Sequence, residues 1–356
     1  MPGDALLKDY HLPWMTDDGD DRDVILASRV RLARNFRGIP FPNRASFQQL
    51  AKVQELAGDV LQGLEAVTGQ PFEHMAVDQL TTLERNVLVE KRLATKNFIR
   101  NPQYRSVFIS RDERCSVMVN EEDHLRIQCA APGLSLNAPF AMASRIDDLV
   151  ESKLDIAFDE RMGYLTSCPT NLGTGLRASV VLHLPGLAFT NNIDSIINIS
   201  PQLGLAVRGL FGNGSEVIGN LYQISNQLTL GFTENELLEN LKSAASEIVS
   251  RERQARKALE MYAKDRVEDA AWRAYGIMKY ARFIASGEVL DLLGRVKLGA
   301  DLGLLNELDS KFFPETIVAS RTNYLQNLAG SDNMSKTELD RSRAAMVRKI
   351  FQEDVK

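Results

Sequence analysis

Residues 167–186 read SCPTNLGTGLRASVVLHLPG, and the run after the glycines decides the fold. Gly173, Gly175 and Ala178 spell G-x-G-x-x-A, which in a dinucleotide-binding domain opens a helix. Here an alternating run comes instead. Leu176, Ala178, Val180, Leu182 and Leu184 fall on one side and Arg177, Ser179 and His183 on the other, until Pro185-Gly186 ends the run. Successive strand side chains point to opposite faces, so this is a strand with one apolar face. The glycines therefore turn the chain into a sheet, and no Rossmann unit is expected.

The same alternation recurs on both sides. VILASRVRL, YRSVFISRD, CSVMVNEED, HLRIQC, LGLAVRG and VIGNLYQIS read as short strands, and two of them meet at NEED without a long crossover, which favours antiparallel pairing. Residues 45–69, 78–95 and 139–160 carry apolar side chains at helical spacing, the first run stopping at Gly69. Capping boxes at Thr233/Glu236 and Ser335/Glu338 open helical segments in a C-terminal part that is nearly all helix. The expected fold is α+β: an antiparallel sheet flanked by helices, then a C-terminal helical domain. The divisions fall at 1–21 (an extension), 22–255 and 256–356.

With 356 residues, 44% of them hydrophobic and 25% charged, the chain can bury a large core. No apolar run approaches the roughly 18 residues of a membrane span, and the N-terminus shows no secretory pattern, so a cytoplasmic protein is expected. Cys115, Cys129 and Cys168 form no C-x-x-C and are expected to be reduced thiols. A net charge of −5 argues against general nucleic-acid binding. Arginine outnumbers lysine 28 to 14, a weak pointer to oxyanions because the guanidinium fork matches phosphate and carboxylate.

Splitting each strand by alternation sets arginine opposite an apolar face four times. Val24, Leu26, Val30 and Leu32 oppose Arg29 and Arg31; Leu125, Ile127 and Cys129 oppose His124, Arg126 and Gln128; Leu203, Leu205 and Val207 oppose Arg208; and Arg177 stands opposite the leucines of 176–184. Five arginines on one sheet face repel one another unless an anion sits among them. That points to phosphate. The plainer alternative is a half-solvated polar face, each arginine isolated or paired with a carboxylate. Neither a P-loop nor the H-R-D and D-F-G of common protein kinases is present.

NEEDHLR (120–126) places Glu121, Glu122 and Asp123 on a tight turn before Arg126. Such turns are ordinarily solvated, but beside a phosphate cradle a carboxylate could hold a cationic nucleophile or take its proton. Cys168 also has two readings: a structural thiol, or a thiolate favoured by nearby arginines.

VILASRVRLARN, VNEEDHLR and CPTNLGTGLRASVVLHLP occur in this order and closely resemble three motifs of the phosphagen (guanidino) kinases. Within that family the whole chain is similar to the bacterial protein-arginine kinases of the McsB type. The resemblance implies a glutamine synthetase-like catalytic domain and in-line phosphoryl transfer from ATP, bound with Mg2+, to a guanidinium nitrogen. It implies that Arg29, Arg31, Arg126, Arg177 and Arg208 hold the phosphates, while Ser28, Val30, Ala178, Ser179, Val180 and Val181 help to place the nucleotide. Glu122 would orient and deprotonate the guanidinium, with Glu121 the lesser choice, and Cys168 would lie against it as thiolate. Arg208, Gly209, Leu210, Phe211, Gly212 and Asn213 would form the loop that closes over the substrates.

By the same resemblance, the stretch after residue 255 supports homodimerisation and recognition of phosphoarginine, Asp340, Arg343 and Ala344 matching an R-D-x-x-R-A pocket motif. Implied partners are protein substrates with exposed arginine, an activator protein, a stress-response repressor and a Clp protease; no membrane or direct nucleic-acid contact is expected. Kinases of free creatine or arginine carry a helical domain ahead of the S-R-V-R motif, which here arrives at residue 28, implying an open site that admits an arginine on a protein. Three positions depart from the pattern. Leu339 replaces an arginine of the pocket motif, Arg92 a histidine expected near the nucleotide, and Asn213 a glutamate, which predicts weaker binding or slower turnover. A kinase of a small free guanidino compound and a non-catalytic phosphoarginine- or ATP-binding adaptor stay open as alternatives.

Overall fold

A computed structural model describes residues 4–16, 19–211, 217–306, 308 and 311–353. Its strands are β1 (Ile25–Arg34), β2 (Phe72–Ala76), β3 (Ser106–Ser110), β4 (Cys115–Val119), β5 (Leu125–Pro132), β6 (Phe158–Asp159), β7 (Gly163–Tyr164), β8 (Leu176–His183), β9 (Leu205–Gly209) and β10 (Leu221–Asn226). Eight form one sheet in the order β2-β3-β4-β5-β1-β8-β10-β9, every neighbouring pair antiparallel, and β6 and β7 make a separate hairpin. Helices flank the sheet and make up the C-terminal region, so the α+β expectation holds. Neither β2 nor the hairpin stands out in the sequence pattern; in β2, Glu73 and His74 interrupt the apolar alternation.

Local chemistry places the flanking helices. Ser46 and Gln49 close a capping box at the start of helix Phe47–Leu61, and a following turn stops at Gly69 with φ 70°. Thr233 and Glu236 cap helix Glu234–Tyr262, which runs unbroken through residues 255 and 256. Val53, Ala57, Ile146, Val150, Leu241 and Ile248 from these helices and from Asn137–Glu151 cover the sheet face that carries Val30, Leu32, Ile127, Ala178 and Val180. Burying each aliphatic side chain of this kind stabilises the fold by about 1.5–3 kcal/mol, which fixes the face that looks inward.

The opposite face changes character along each strand. It starts apolar, where Ala27, Ala130, Val181 and Leu221 meet Leu7, Leu12 and Trp14 of the N-terminal segment and Leu293, Val296, Ile317 and Val318 of the C-terminal helices. Two residues on, Ala27 gives way to Arg29, Ala130 to Gln128, Val181 to Ser179 and Leu221 to Gln223. The site lies on this polar half.

Three side chains depart from simple alternation. A register shift between Ile25 and Ala27 puts Leu26 in the core with Ala27 rather than with Val30 and Leu32, because a bulge reverses parity. Leu203 precedes β9 in a short 3-10 turn and is exposed. His124 precedes β5 and leaves the face of Arg126: its Nδ1 accepts from Phe36 N and its Nε2 donates to Pro40 O, both at 2.9 Å. Among the described residues no helix is long and apolar enough to cross a membrane.

Candidate active site

Cross-strand register assembles the arginines. Arg31 stands opposite Gln128 on β5 and Arg177 on β8, Arg29 opposite Ala130 and Ser179, Ala33 opposite Arg126, and Gln223 opposite both Arg208 and Val181. Directly opposed residues share a face, so all five arginines lie on one side of the sheet. Among the described residues Glu121 is the one carboxylate in ion-pair contact with any of them, at 2.9 Å from Arg126. The Arg31 Nε is sealed from solvent with no partner.

This crowding shows in the acid–base properties. Burial, then the charge of Arg126, pushes Arg29 down to about 10. Arg31 falls well below the ordinary arginine value through burial and then repulsion from Arg126, Arg29 and Arg177, with Glu121 acting the other way. Arg177 is lowered by burial, then by Arg208 and Arg126, Cys168 opposing. A cluster of cations held together against their mutual repulsion would be stabilised by an anion.

The two glutamates separate into distinct roles. Glu121 is buried; its Oε1 accepts from Thr95 Oγ1 at 2.7 Å, and its Oε2 from Glu122 N at 2.7 Å and Arg126 Nη1 at 2.9 Å. Burial works to raise its pKa, but Arg126 and these donors hold it below the usual value, so it stays ionised and orients Arg126. Glu122 is half-buried, and no protein donor engages its carboxylate among the described residues. Burial, then the charges of Glu121 and Asp123, raise its pKa, so it holds a proton more readily than an ordinary glutamate.

Asp123, not singled out from the sequence as a site residue, ties the acidic turn to the cysteine loop. Its Oδ1 accepts from Asn35 Nδ2 and from Ser167 N, each at 2.7 Å. Cys168 is next in the chain, partly exposed, with Sγ 3.1 Å from Thr170 Oγ1. Asp123, Asn171, Gly175, Arg31, Arg126 and Arg177 border one cavity of about 20 Å³. A larger cavity, about 980 Å³, lies at the seam with the C-terminal helices, where Arg92, Phe211 and Arg321 line it.

The remaining sequence-predicted residues scatter. Ser28 is buried, its Oγ donating to Gly133 O at 2.7 Å and accepting from Ser135 N at 3.0 Å. Val30, Ala178 and Val180 point into the opposite core, while Ser179 and Val181 lie on the arginine side. Gly209 ends β9 and Leu210 O accepts from Arg92 Nη2 at 3.1 Å. The guanidiniums of Arg321 and Arg92 lie over the Phe211 ring at 4.1 and 5.0 Å. Gly212 and Asn213 lie outside the described residues.

In the C-terminal region Arg343 is buried and donates to Ser320 O at 2.8 Å, Ile284 O at 3.0 Å, Asp340 Oδ1 at 2.5 Å and Thr322 Oγ1 at 3.3 Å. Ala344 is fully buried. These contacts stitch the last helix to two interhelical turns. Among the described residues no group of three His, Cys, Asp or Glu could hold a metal.

A twisted antiparallel sheet presenting five arginines beside a free carboxylate and a thiol defines a guanido phosphotransferase. Residues 52–255 match the family of the ATP:guanido phosphotransferase C-terminal catalytic domain, and residues 264–356 match that of the protein-arginine kinase McsB C-terminal domain. The chain belongs to the protein-arginine kinase family. It is 43% identical over 337 residues to a protein-arginine kinase of Desulforamulus reducens, covering 94% of each chain. It is 44% identical over 335 residues to one of Halothermothrix orenii, covering 94% of this chain and 95% of the other. Among solved structures it resembles the duplicated taurocyamine kinase of Schistosoma mansoni, with 28% identity and a TM-score of 0.60 over 70% of this chain and 36% of that one. Lombricine kinase, 22% identical with a TM-score of 0.56 over 69% of this chain and 70% of that one, shares the fold.

Proposed function

We propose that the protein transfers the γ-phosphoryl group of MgATP to a guanidinium nitrogen of an arginine side chain in a protein. The observation that carries this reading is the gathering of five arginines, offset by one carboxylate, on one sheet face, where Arg31, Arg126 and Arg177 border a cavity with Asp123 of the acidic turn and with Asn171 and Gly175 of the cysteine loop. The triphosphate supplies the negative charge that the arginines lack, and Mg2+ arrives with it as part of the substrate. A guanidinium has a pKa above about 12 and is a poor nucleophile, so alignment and a base must make it reactive. Glu122 takes a proton from the attacking nitrogen as the N–P bond forms. The bond between the γ-phosphorus and the β,γ-bridging oxygen breaks, and ADP leaves with that electron pair. The arginines meet the charge spread over the phosphoryl oxygens in the transition state.

By the family resemblance Cys168, which follows Ser167 on the loop that Asp123 ties to the acidic turn, lies against the acceptor guanidinium. The small-molecule alternative loses ground because the relatives similar over nearly the whole chain are protein-arginine kinases. A cytoplasmic site of action, a homodimer, a phosphoarginine pocket around Asp340 and Arg343, and a role in marking proteins for a Clp protease under stress belong to the same proposal and rest on the family resemblance. Incubation with MgATP and an arginine-containing protein should yield acid-labile, base-stable phosphate, located on arginine by mass spectrometry and lost in Glu122→Gln. Transfer to free arginine or creatine alone would overturn the protein-substrate reading.

A further inference from the structure

The loop that presents Cys168 is held between two others. On one side, Tyr164 N of the β6–β7 hairpin donates to Gly173 O at 2.7 Å. A Cβ on Gly163 would lie 2.4 Å from that oxygen, so only glycine allows the approach. On the other side, the stretch after β10 is fastened by Thr229, whose Oγ1 bonds to Leu172 O at 2.6 Å and Thr170 O at 3.0 Å. A Cβ on Gly173 would stand 2.8 Å from Thr229 O and 2.9 Å from Leu230 Cα. The three segments are thus packed backbone against backbone.

Both outer segments carry apolar side chains that the described residues leave about half exposed. Phe158 and Met162 on the hairpin and Leu228, Leu230 and Phe232 after β10 are between 41% and 55% exposed. Single exposed apolar residues need no explanation, but five beside one loop mark a surface that binds something. The occupant is set by continuity with the acceptor site: whatever places a guanidinium at Cys168 lays its own neighbouring residues across these two segments.

We propose that these five side chains form an apolar rim that binds the residues flanking the acceptor arginine. The enzyme then favours arginines flanked by hydrophobic side chains. The inference rests on the reading that Cys168 faces the acceptor.

Two peptides of equal length and net charge test it, one with a single arginine between Leu and Phe residues, the other with the arginine between Ser and Asn. Phosphoarginine is confirmed by mass spectrometry and kcat/KM measured by ADP release. The wild-type enzyme should favour the apolar peptide by about tenfold or more, as partial burial of one or two apolar side chains supplies. Met162→Ser/Phe232→Ser should bring the ratio close to one and leave unchanged both the KM for ATP and kcat/KM for the Ser/Asn peptide. Leu228→Ser repeats the test from a single substitution should the double variant fold poorly. Equal kcat/KM in the wild-type enzyme overturns the rim while leaving the proposed activity in place. Absence of phosphoarginine on every peptide and protein removes the activity on which the rim rests. Sedimentation completes the test: a variant that turns a dimer into a monomer yet keeps the peptide preference shows that the face joins two copies, and the proposal fails.

Discussion

Removing the positive charge of Arg31 should make the free protein more stable and the enzyme worse. Arg31 is repelled by Arg126, Arg29 and Arg177, attracted by Glu121, and carries a sealed Nε without a partner. At about 7 Å and an effective dielectric near 20, one like-charge pair costs about 2 kcal/mol. Three repulsions less one attraction leave about two pairs, roughly 4 kcal/mol, and partial exposure of the cluster screens that to about half. The orphaned donor adds about 1 kcal/mol or more. Arg31→Met keeps most of the apolar stem, so the nucleotide-free variant should gain about 1–3 kcal/mol in urea unfolding. MgADP at about 100 times its Kd should stabilise the wild-type protein by about 2.7 kcal/mol and the variant far less. Its kcat/KM should fall by about 10²- to 10³-fold. A variant less stable than the wild-type protein without nucleotide, yet equally stabilised by MgADP, would refute the view that these arginines are an uncompensated anion site.

The same geometry yields three further outcomes. As the proposed base Glu122 would act deprotonated and its pKa is raised, so kcat/KM should climb with pH through a value above that of an ordinary glutamate; Glu122→Gln should lose that limb and about 10²- to 10⁴-fold in kcat, and an unchanged profile would assign the base elsewhere. Asp123→Ala leaves Asn35 Nδ2 and Ser167 N without their acceptor, which should cost about 1–3 kcal/mol and lower kcat/KM for the arginine substrate more than for ATP. Burial holds His124 down to about 4 against the ordinary 6.5. Between those values the unfolded chain binds the extra proton, so stability falls with falling pH, by about 3 kcal/mol over the whole window. His124→Gln should flatten that dependence in urea midpoints taken at pH 7.5 and pH 5, and an equal slope would show that another group carries it.

The composition of the arginine face was legible in the sequence because strand alternation is strictly local: the register sets Arg31 beside Arg177 and Gln128, but the parity is already written in each segment. The capping boxes and the stop at Gly69 were legible for the same reason, since each rests on side chains within a few residues. Leu26 and His124 were misplaced because a bulge and a chain turn break the period, and neither leaves a mark in apolar spacing. The choice between Glu121 and Glu122 needed tertiary structure: adjacent, identical residues differ only in that Thr95 and Arg126 arrive at one and not the other. Asp123's bond to the cysteine loop and the apolar side chains around that loop join segments far apart in the chain. Sequence by itself thus determined that the five arginines share a face and raised an anion as one of two readings of it. Only the tertiary structure decided which carboxylate is free, what holds the thiol loop and what surrounds it, because charge, burial and close backbone approach depend on distances that no local pattern encodes.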